Sequence, residues 1–334
     1  MDIVFVTGGT GFIGNKLVRE LLGKGCKVHV LIRPTSDKRD LEHEQLHLFT
    51  GNILDCNSIK KAMEGCNQVY HLAAYARNWA RDLATFYRHN VDGLCHVLEA
   101  AKALGVERVV FTSSFLTFGP TSRDGVCNEE MPGMTHCCST AYEESKILAE
   151  KKGCEYVEKG LPVVIVNPTR VYGPGKLTEA NSVSLMINKY VRGRMPVLLN
   201  HGRNIGNYAF VDDVVQGLIL AMERGKAGER YILGGENASL KRFFEIVDEI
   251  SGKKHFQTNL PTWLAMFYSQ IEQTKAKRLG IYPLITPGWL QLFLRDWAYS
   301  SEKAIKQLGY KITPLKEGIR ITYEWLQGLR KKSK

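Results

Sequence analysis

The chain opens on an unbroken apolar run, Ile3-Val4-Phe5-Val6, without the alternation of a half-exposed strand. Such a run predicts a strand buried on both faces, in the middle of a parallel sheet. Residues 15–22 then carry Leu17, Val18, Leu21 and Leu22 at helical spacing. Further apolar runs predict strands over 27–33, 46–50, 68–74, 107–114 and 161–167, and a helix over about 85–104 has Val91, Leu94, Val97, Leu98 and Ala101 on one stripe. Another helix begins at Ala141, after a polar, glycine-containing loop over 115–140. Strands alternating with helices predict an α/β fold with a doubly wound parallel sheet, its ligand at the carboxyl ends of the strands.

Beyond Pro174 this rhythm breaks. A helix over 182–192, short strands at 197–199 and 208–211, and a helix from Asp212 with Val215, Leu218, Ile219 and Met222 inward come next. A strand at 231–233 and a helix over 239–250 follow, and from Pro261 the chain is helical and aromatic (Trp263, Phe267, Tyr268, Trp289, Phe293, Trp297). The expected division is a dinucleotide-binding domain over 1–172, to which 208–234 returns, and a smaller, interwoven, mostly helical substrate lobe over 173–207 and 235–330.

Composition narrows the class. The 334 residues are 44% apolar and 24% charged, as in an ordinary globular protein with a large core. The net charge of +11 attracts anions, yet its excess is scattered (Lys24, Lys27, Arg33, Lys38, Arg39) or terminal (Arg330-Lys331-Lys332-Ser333-Lys334). It reads as a solvated surface and a polar tail, with no nucleic-acid partner. Eight cysteines, at 26, 56, 66, 95, 127, 137, 138 and 154, lack metal-ligand spacing, and no signal peptide is apparent. Free thiols and a cytoplasmic location are expected, with no metal. No apolar run approaches the ~18 residues of a membrane span.

Candidate chemistry starts at Thr7-Gly8-Gly9-Thr10-Gly11-Phe12-Ile13-Gly14, between the first strand and its helix. Gly8 permits the sharp turn, Gly11 lets a pyrophosphate approach the backbone, and Gly14 lets the helix pack on the strand. The free N–H groups from Thr10 through Ile13 then face the phosphates. At the end of the second strand an acid would select the free ribose hydroxyl of NAD and an arginine the phosphate of NADP. Arg33, with Lys38 and Arg39 close behind, favours NADP, and NAD is the alternative. The fourth strand ends in Leu72-Ala73-Ala74, small enough for close passage of a ligand, and the fifth ends in Thr112, Ser113 and Ser114. Tyr142 and Lys146, four apart on a helix, project from one face. A free tyrosine, with a pKa near ~10, is no base at neutral pH. A nearby ammonium and an oxidised nicotinamide favour the phenolate. Tyr142 then exchanges a proton with an alcohol or carbonyl oxygen held by Ser114, while Lys146 holds the nicotinamide ribose. His71 reads as a core histidine, and Cys137 and Cys138 as loop residues. Tyr75, Arg77, Trp79, Phe115, Phe118 and Tyr172 are candidates for the substrate wall.

These motifs resemble the extended branch of the short-chain dehydrogenase/reductase family, the NAD-dependent epimerase/dehydratase type with a Rossmann domain. The glycine motif, His71-Leu72-Ala73-Ala74, Asn90, Thr112-Ser113-Ser114, Tyr142 with Lys146, Asn167-Pro168, Tyr172-Gly173-Pro174 and Val211-Asp212-Asp213-Val214 occur in the family's order over about residues 3–310. Two stretches, 112–119 and 172–178, look most like dihydroflavonol-reductase-like and farnesol-dehydrogenase-like enzymes. The resemblance implies Asn52 and Ile53 at the adenine, Ala73 along the cofactor, Pro168 near the nicotinamide, and Leu72, Ala74, Thr112, Thr169 and Val171 completing the set. It also implies Asn90 as an anchor and a homodimer through the long helix and the Tyr142 helix. The family usually has an aspartate where Asn52 stands; asparagine keeps an acceptor for the adenine amino group. Farnesol-type relatives combine an arginine near position 33 with NAD. The expected function is interconversion of an alcohol and its carbonyl on a fairly apolar small molecule. The rival is a nucleotide-sugar epimerase or dehydratase, which needs cations such as Arg192, Arg203 or Arg295 at a pyrophosphate.

Overall fold

Neighbouring residues of the opening apolar run face different cores. Val4 and Val6 pack with Leu17, Val18, Val215 and Leu218 on one side, whereas Phe5 packs with Ile59, Leu94, Val97 and Leu98 on the other. A strand needs no polar face when helices cover both sides of its sheet. The computed structural model describes residues 2–38, 41–123, 125–130, 138–194 and 197–332, so Arg39, Cys137 and the terminal Ser333-Lys334 lie outside the described residues.

The strands among the described residues are β1 (Ile3–Thr7), β2 (Lys27–Ile32), β3 (Leu46–Thr50), β4 (Gln68–His71), β5 (Arg108–Thr112), β6 (Val163–Pro168), β7 (Arg170–Tyr172), β8 (Val197–Leu199), β9 (Ile205–Phe210), β10 (Arg230–Leu233), β11 (Glu236–Ser239) and β12 (Thr258–Leu260). Seven of them form the large sheet, ordered β10-β6-β5-β4-β1-β2-β3 and parallel at every pairing. The chain order reverses at β1, between β2 and β4. Loops leaving β1 and β4 therefore diverge and open a crevice at their carboxyl ends.

The second lobe grows from the same chain. β9 pairs with β7 and antiparallel with β11 in a small sheet, and β8 pairs with β12. Of the segment 208–234, the helix Val211–Arg224 and β10 join the large sheet, while Tyr208–Phe210 stays in the small one. Tyr190, Tyr208, Phe243, Phe244 and Ile319 make the lobe's own core.

Three local features differ from the sequence reading. The long helix is not uniform: Ala84–Tyr87 and Gly93–Ala103 are α-helical, but Arg88–Asp92 is a π-turn. That wider turn aims Asn90 inward, where its Oδ1 accepts the Tyr75 N–H at 2.7 Å and its Nδ2 donates to Ser145 at 2.9 Å. An additional helix, Cys56–Met63, is capped by Asp55, which accepts the Asn57 N–H at 3.0 Å. Tyr172, expected at the substrate wall, is fully buried against Phe210 and Phe243, because the lobe core closes over β7.

Candidate active site

The crevice holds a cavity of about 900 Å³ whose wall runs from the glycine turn into the second lobe. At one end the turn is forced by its own packing. Gly8 sits at φ +76°, and a Cβ there would come within 2.7 Å of the Ala73 backbone nitrogen. A Cβ on Gly14 would land on the Gly8 carbonyl oxygen. The helix Phe12–Gly23 starts from Gly11 without a side-chain cap, so the amides of its first turn have no helical acceptor. Bare amides at a helix start suit a pyrophosphate.

Along the wall lie Thr10, Gly11, Phe12, Ile13, Arg33, Asn52, Ile53, Leu72, Ala73 and Ala74. Ser36, unanticipated from sequence, joins them because a turn brings it back: its hydroxyl accepts the Arg33 N–H at 3.1 Å. Lys38 is exposed and does not reach the wall. Asn52 is held by a turn of its own, its Oδ1 accepting the Leu54 N–H at 3.1 Å, which leaves that oxygen a second lone pair. Further in, the buried hydroxyls of Thr112 and Ser113 line the cavity with no partner among the described residues. Orphaned hydroxyls, a glycine cradle and bare amides fit a dinucleotide.

At the far end of the large sheet, Pro168, Thr169, Val171, Ser114, Phe115, Tyr142 and Lys146 share the wall. Ser114 lies two residues past the end of β5, and its Oγ accepts the Leu116 N–H at 3.3 Å. The helix Ala141–Glu158 is pinned at its start by a capping box. Thr140 Oγ1 accepts the Glu143 N–H at 3.2 Å, while the Glu143 carboxylate accepts the Ser139 N–H at 3.0 Å. This sets the Tyr142 phenol beside the Ser114 hydroxyl and under Trp289, stacked at 6.5 Å.

Burial dominates the electrostatics of the Tyr142–Lys146 pair. Burial pushes the Tyr142 phenol up to about 12, and the Ser114 hydroxyl is what opposes the rise. The Lys146 ammonium is held by the backbone of β5. Its Nζ donates to the Thr112 carbonyl at 3.0 Å and lies 5.1 Å over the Phe111 ring. Burial draws its pKa down to about 8, against the pull of Glu150 one turn on. Glu150 accepts from Asn167 at 2.6 Å and from Thr117 at 2.9 Å, and lies 3.3 Å from Arg230. His71 is a core residue, neutral because burial takes it down to about 3, with Nδ1 at 2.8 Å from the Thr7 hydroxyl.

Lys146 makes stability depend on pH. Its folded pKa, about 8, lies below the ordinary 10.5, so between these values the unfolded chain binds more protons and stability rises with pH. The penalty is complete below about 8 and vanishes above 10.5. Lys146→Met is expected to be more stable than the wild type at neutral pH by up to about 3 kcal/mol. Urea unfolding should show that gain shrinking through the alkaline window; a gain independent of pH would refute the assigned burial cost.

Three other aromatic candidates stand off the wall, among them Phe118, which is buried against Tyr299 and under Arg230. Tyr75 packs on Phe86 at 5.0 Å, and Trp79 stands edge-on to Tyr282 at 5.9 Å. Tyr282 itself lines the cavity, as do Arg170, Leu185, Met186, Leu292, Phe293 and Trp297. None of these wall positions follows from local spacing, because the lobe supplies them from three separate segments. Among the described residues there is no group of side chains able to hold a metal ion and no helix long and apolar enough to cross a membrane.

Comparison with known proteins agrees with this architecture. A Synechocystis sp. protein provisionally named a dihydroflavonol 4-reductase is 31% identical over 330 residues, covering 98% of this chain and 95% of that protein. Sterol demethylase protein B of Methylococcus capsulatus is 30% identical, covering 96% of this chain and 97% of that protein. The UDP-glucose 4-epimerase of Thermotoga maritima, solved with UDP-glucose, shares the fold at a TM-score of 0.81, with 24% identity over 99% of this chain and 100% of that one. A family model matches residues 4–234, and by that match the chain belongs to the NAD dependent epimerase/dehydratase family, whose members are NAD(P)-dependent Rossmann enzymes.

Proposed function

We propose that this enzyme interconverts an alcohol and its ketone or aldehyde on a fairly apolar small molecule, with NADP as the cofactor. The observation that carries the reading is the meeting of Ser114, Tyr142 and Lys146 on one wall, set where the cofactor half of the cavity meets a half walled by Leu185, Met186, Trp289, Leu292, Phe293 and Trp297. The bound nicotinamide supplies the hydride chemistry. Ser114 fixes the substrate oxygen by its hydroxyl, and Tyr142 gives or takes the proton at that oxygen. Lys146, one turn on, binds the ribose and adds positive charge beside the phenol, lowering a pKa that burial alone holds high. Asn90 positions this helix through Ser145. Relatives named for a dihydroflavonol and a sterol support an apolar substrate, and free thiols throughout the described cysteines suit a cytoplasmic enzyme. A homodimer through the helices 84–103 and 141–158 belongs to the same reading.

Nucleotide-sugar chemistry on this scaffold is the competing reading. Against it, Arg192, Arg203 and Arg295 are absent from the cavity wall, which leaves Arg170 and Lys189 as the cations of its second-lobe half. The purified chain is expected to consume NADPH with a panel of apolar ketones and aldehydes. Epimerisation of a UDP-sugar without net cofactor consumption would overturn the proposal. For the cofactor, Arg33 and Ser36 lie together on the cavity wall after β2, where the ribose phosphate is expected. Arg33→Asp replaces a charge-assisted contact by repulsion and should lower the NADPH/NADH ratio of kcat/KM roughly a hundredfold. An unchanged ratio would show that Arg33 does not read the phosphate.

A further inference from the structure

The helix Thr262–Leu279 is built inside out. Its buried residues are Ala265, Ser269 and Ala276, while large apolar side chains face outward. Trp263 is 71% exposed, and Leu264, Phe267 and Ile271 are exposed with it. At helical spacing these four fall on one stripe, and Lys275 and Arg278 continue it toward the C-terminus. Phe256 before the helix is 82% exposed, and Leu284 after it 67%. Scattered surface apolar residues are ordinary; a contiguous patch of this kind marks an interaction site.

Charge selects the partner. Residues 253–294 contain five cations, Lys253, Lys254, Lys275, Lys277 and Arg278, against a single carboxylate, Glu272. Glu272 is occupied, pairing with Lys275 at 3.1 Å and accepting the Leu284 N–H at 3.1 Å. An apolar stripe flanked by cations matches the interface of a bilayer with anionic headgroups. A symmetric contact with a second copy would set these cations against one another. The patch is also continuous with the cavity, because Tyr282, Leu284 and Phe293 are both exposed and part of its wall.

We propose that this face docks on an anionic lipid surface, lying in the interface and not crossing it, with the cavity mouth turned toward the lipid. An apolar substrate then passes between bilayer and cavity at Tyr282, Leu284 and Phe293. That passage rests on the apolar-substrate reading above; the docking does not.

The test is flotation of the full chain, without substrate, with vesicles of phosphatidylcholine and phosphatidylglycerol in equal amounts, and with phosphatidylcholine alone. The chain should float with the anionic vesicles, more weakly with the neutral ones, and less as salt is raised. The double variant Trp263→Ser/Phe267→Ser should lose binding about tenfold or more. Lys277→Gln/Arg278→Gln should weaken anionic binding about fivefold per cation. Both variants should keep wild-type cofactor affinity and turnover of a water-soluble carbonyl, which shows that they fold. A wild-type chain that stays in the aqueous phase overturns the proposal, as does an apolar variant that floats like the wild type. A wild-type dimer split by the apolar variant would assign the face to a second copy instead. Failure of the oxidoreductase reading shows separately, as absent turnover of the soluble carbonyl.

Discussion

Tyr142→Phe is expected to lower kcat by about 10²–10⁴-fold, the range for loss of a positioned acid–base group, while cofactor affinity stays within about threefold. The substitution removes one oxygen, and the ring keeps its stack on Trp289 and its place in the helix Ala141–Glu158. With the phenol gone, the proton at the substrate oxygen has no route, although Ser114 still holds that oxygen. The pH profile carries a second signature. Burial, only partly opposed by the Ser114 hydroxyl, holds the Tyr142 phenol at about 12, so without a charged neighbour oxidation of an alcohol would climb steadily into alkali. Lys146, holding the ribose, would together with an oxidised nicotinamide bring that limb down toward neutral pH. Retained activity in the phenylalanine variant would remove Tyr142 from the chemistry.

Gly14→Ala should abolish measurable cofactor binding and cost about 1–3 kcal/mol of stability, as overpacking does. The added methyl falls on the Gly8 carbonyl, and Gly8 cannot yield, since it is wedged at φ +76° against the Ala73 backbone. The strain displaces the helix start and its bare amides together. Gly23, in the same helix, has open space around it. Gly23→Ala is therefore the control, with binding unchanged and stability equal or slightly higher. Fluorescence titration with NADPH and thermal unfolding of the two variants check both halves; equal binding by Gly14→Ala would show that the turn does not hold the phosphates.

The large sheet was legible because its signals are local. Val4, Phe5 and Val6 announce burial on both faces, and the glycine turn and helix follow within a dozen residues. Ser114, two residues past β5, could be placed once the parallel order was read, whereas Pro168 came only from the family resemblance. Lys146 could be assigned a face but not a partner: that its Nζ turns to the Thr112 carbonyl depends on β5 lying beside its helix. Tyr172 misled for a similar reason, since a β7 residue next to the cavity points into the lobe core. Helix Cys56–Met63 is short and rich in polar residues, and its signal rests mainly on the Asp55 cap. The aromatic residues after Pro261 split into two groups that no periodicity separates. Trp289, Phe293 and Trp297 reach the cavity, whereas Trp263 and Phe267 face outward.

The most direct measurement is the fate of isotope from the cofactor. NADPH carrying deuterium at either face of nicotinamide C4 is incubated with the wild-type chain and an apolar ketone, and the products are read by mass spectrometry and NMR. One of the two labelled faces should deliver deuterium to the carbinol carbon, one atom per NADP formed. Unlabelled alcohol from both, or a sugar nucleotide epimerised while the cofactor returns unchanged, would contradict the proposed reaction.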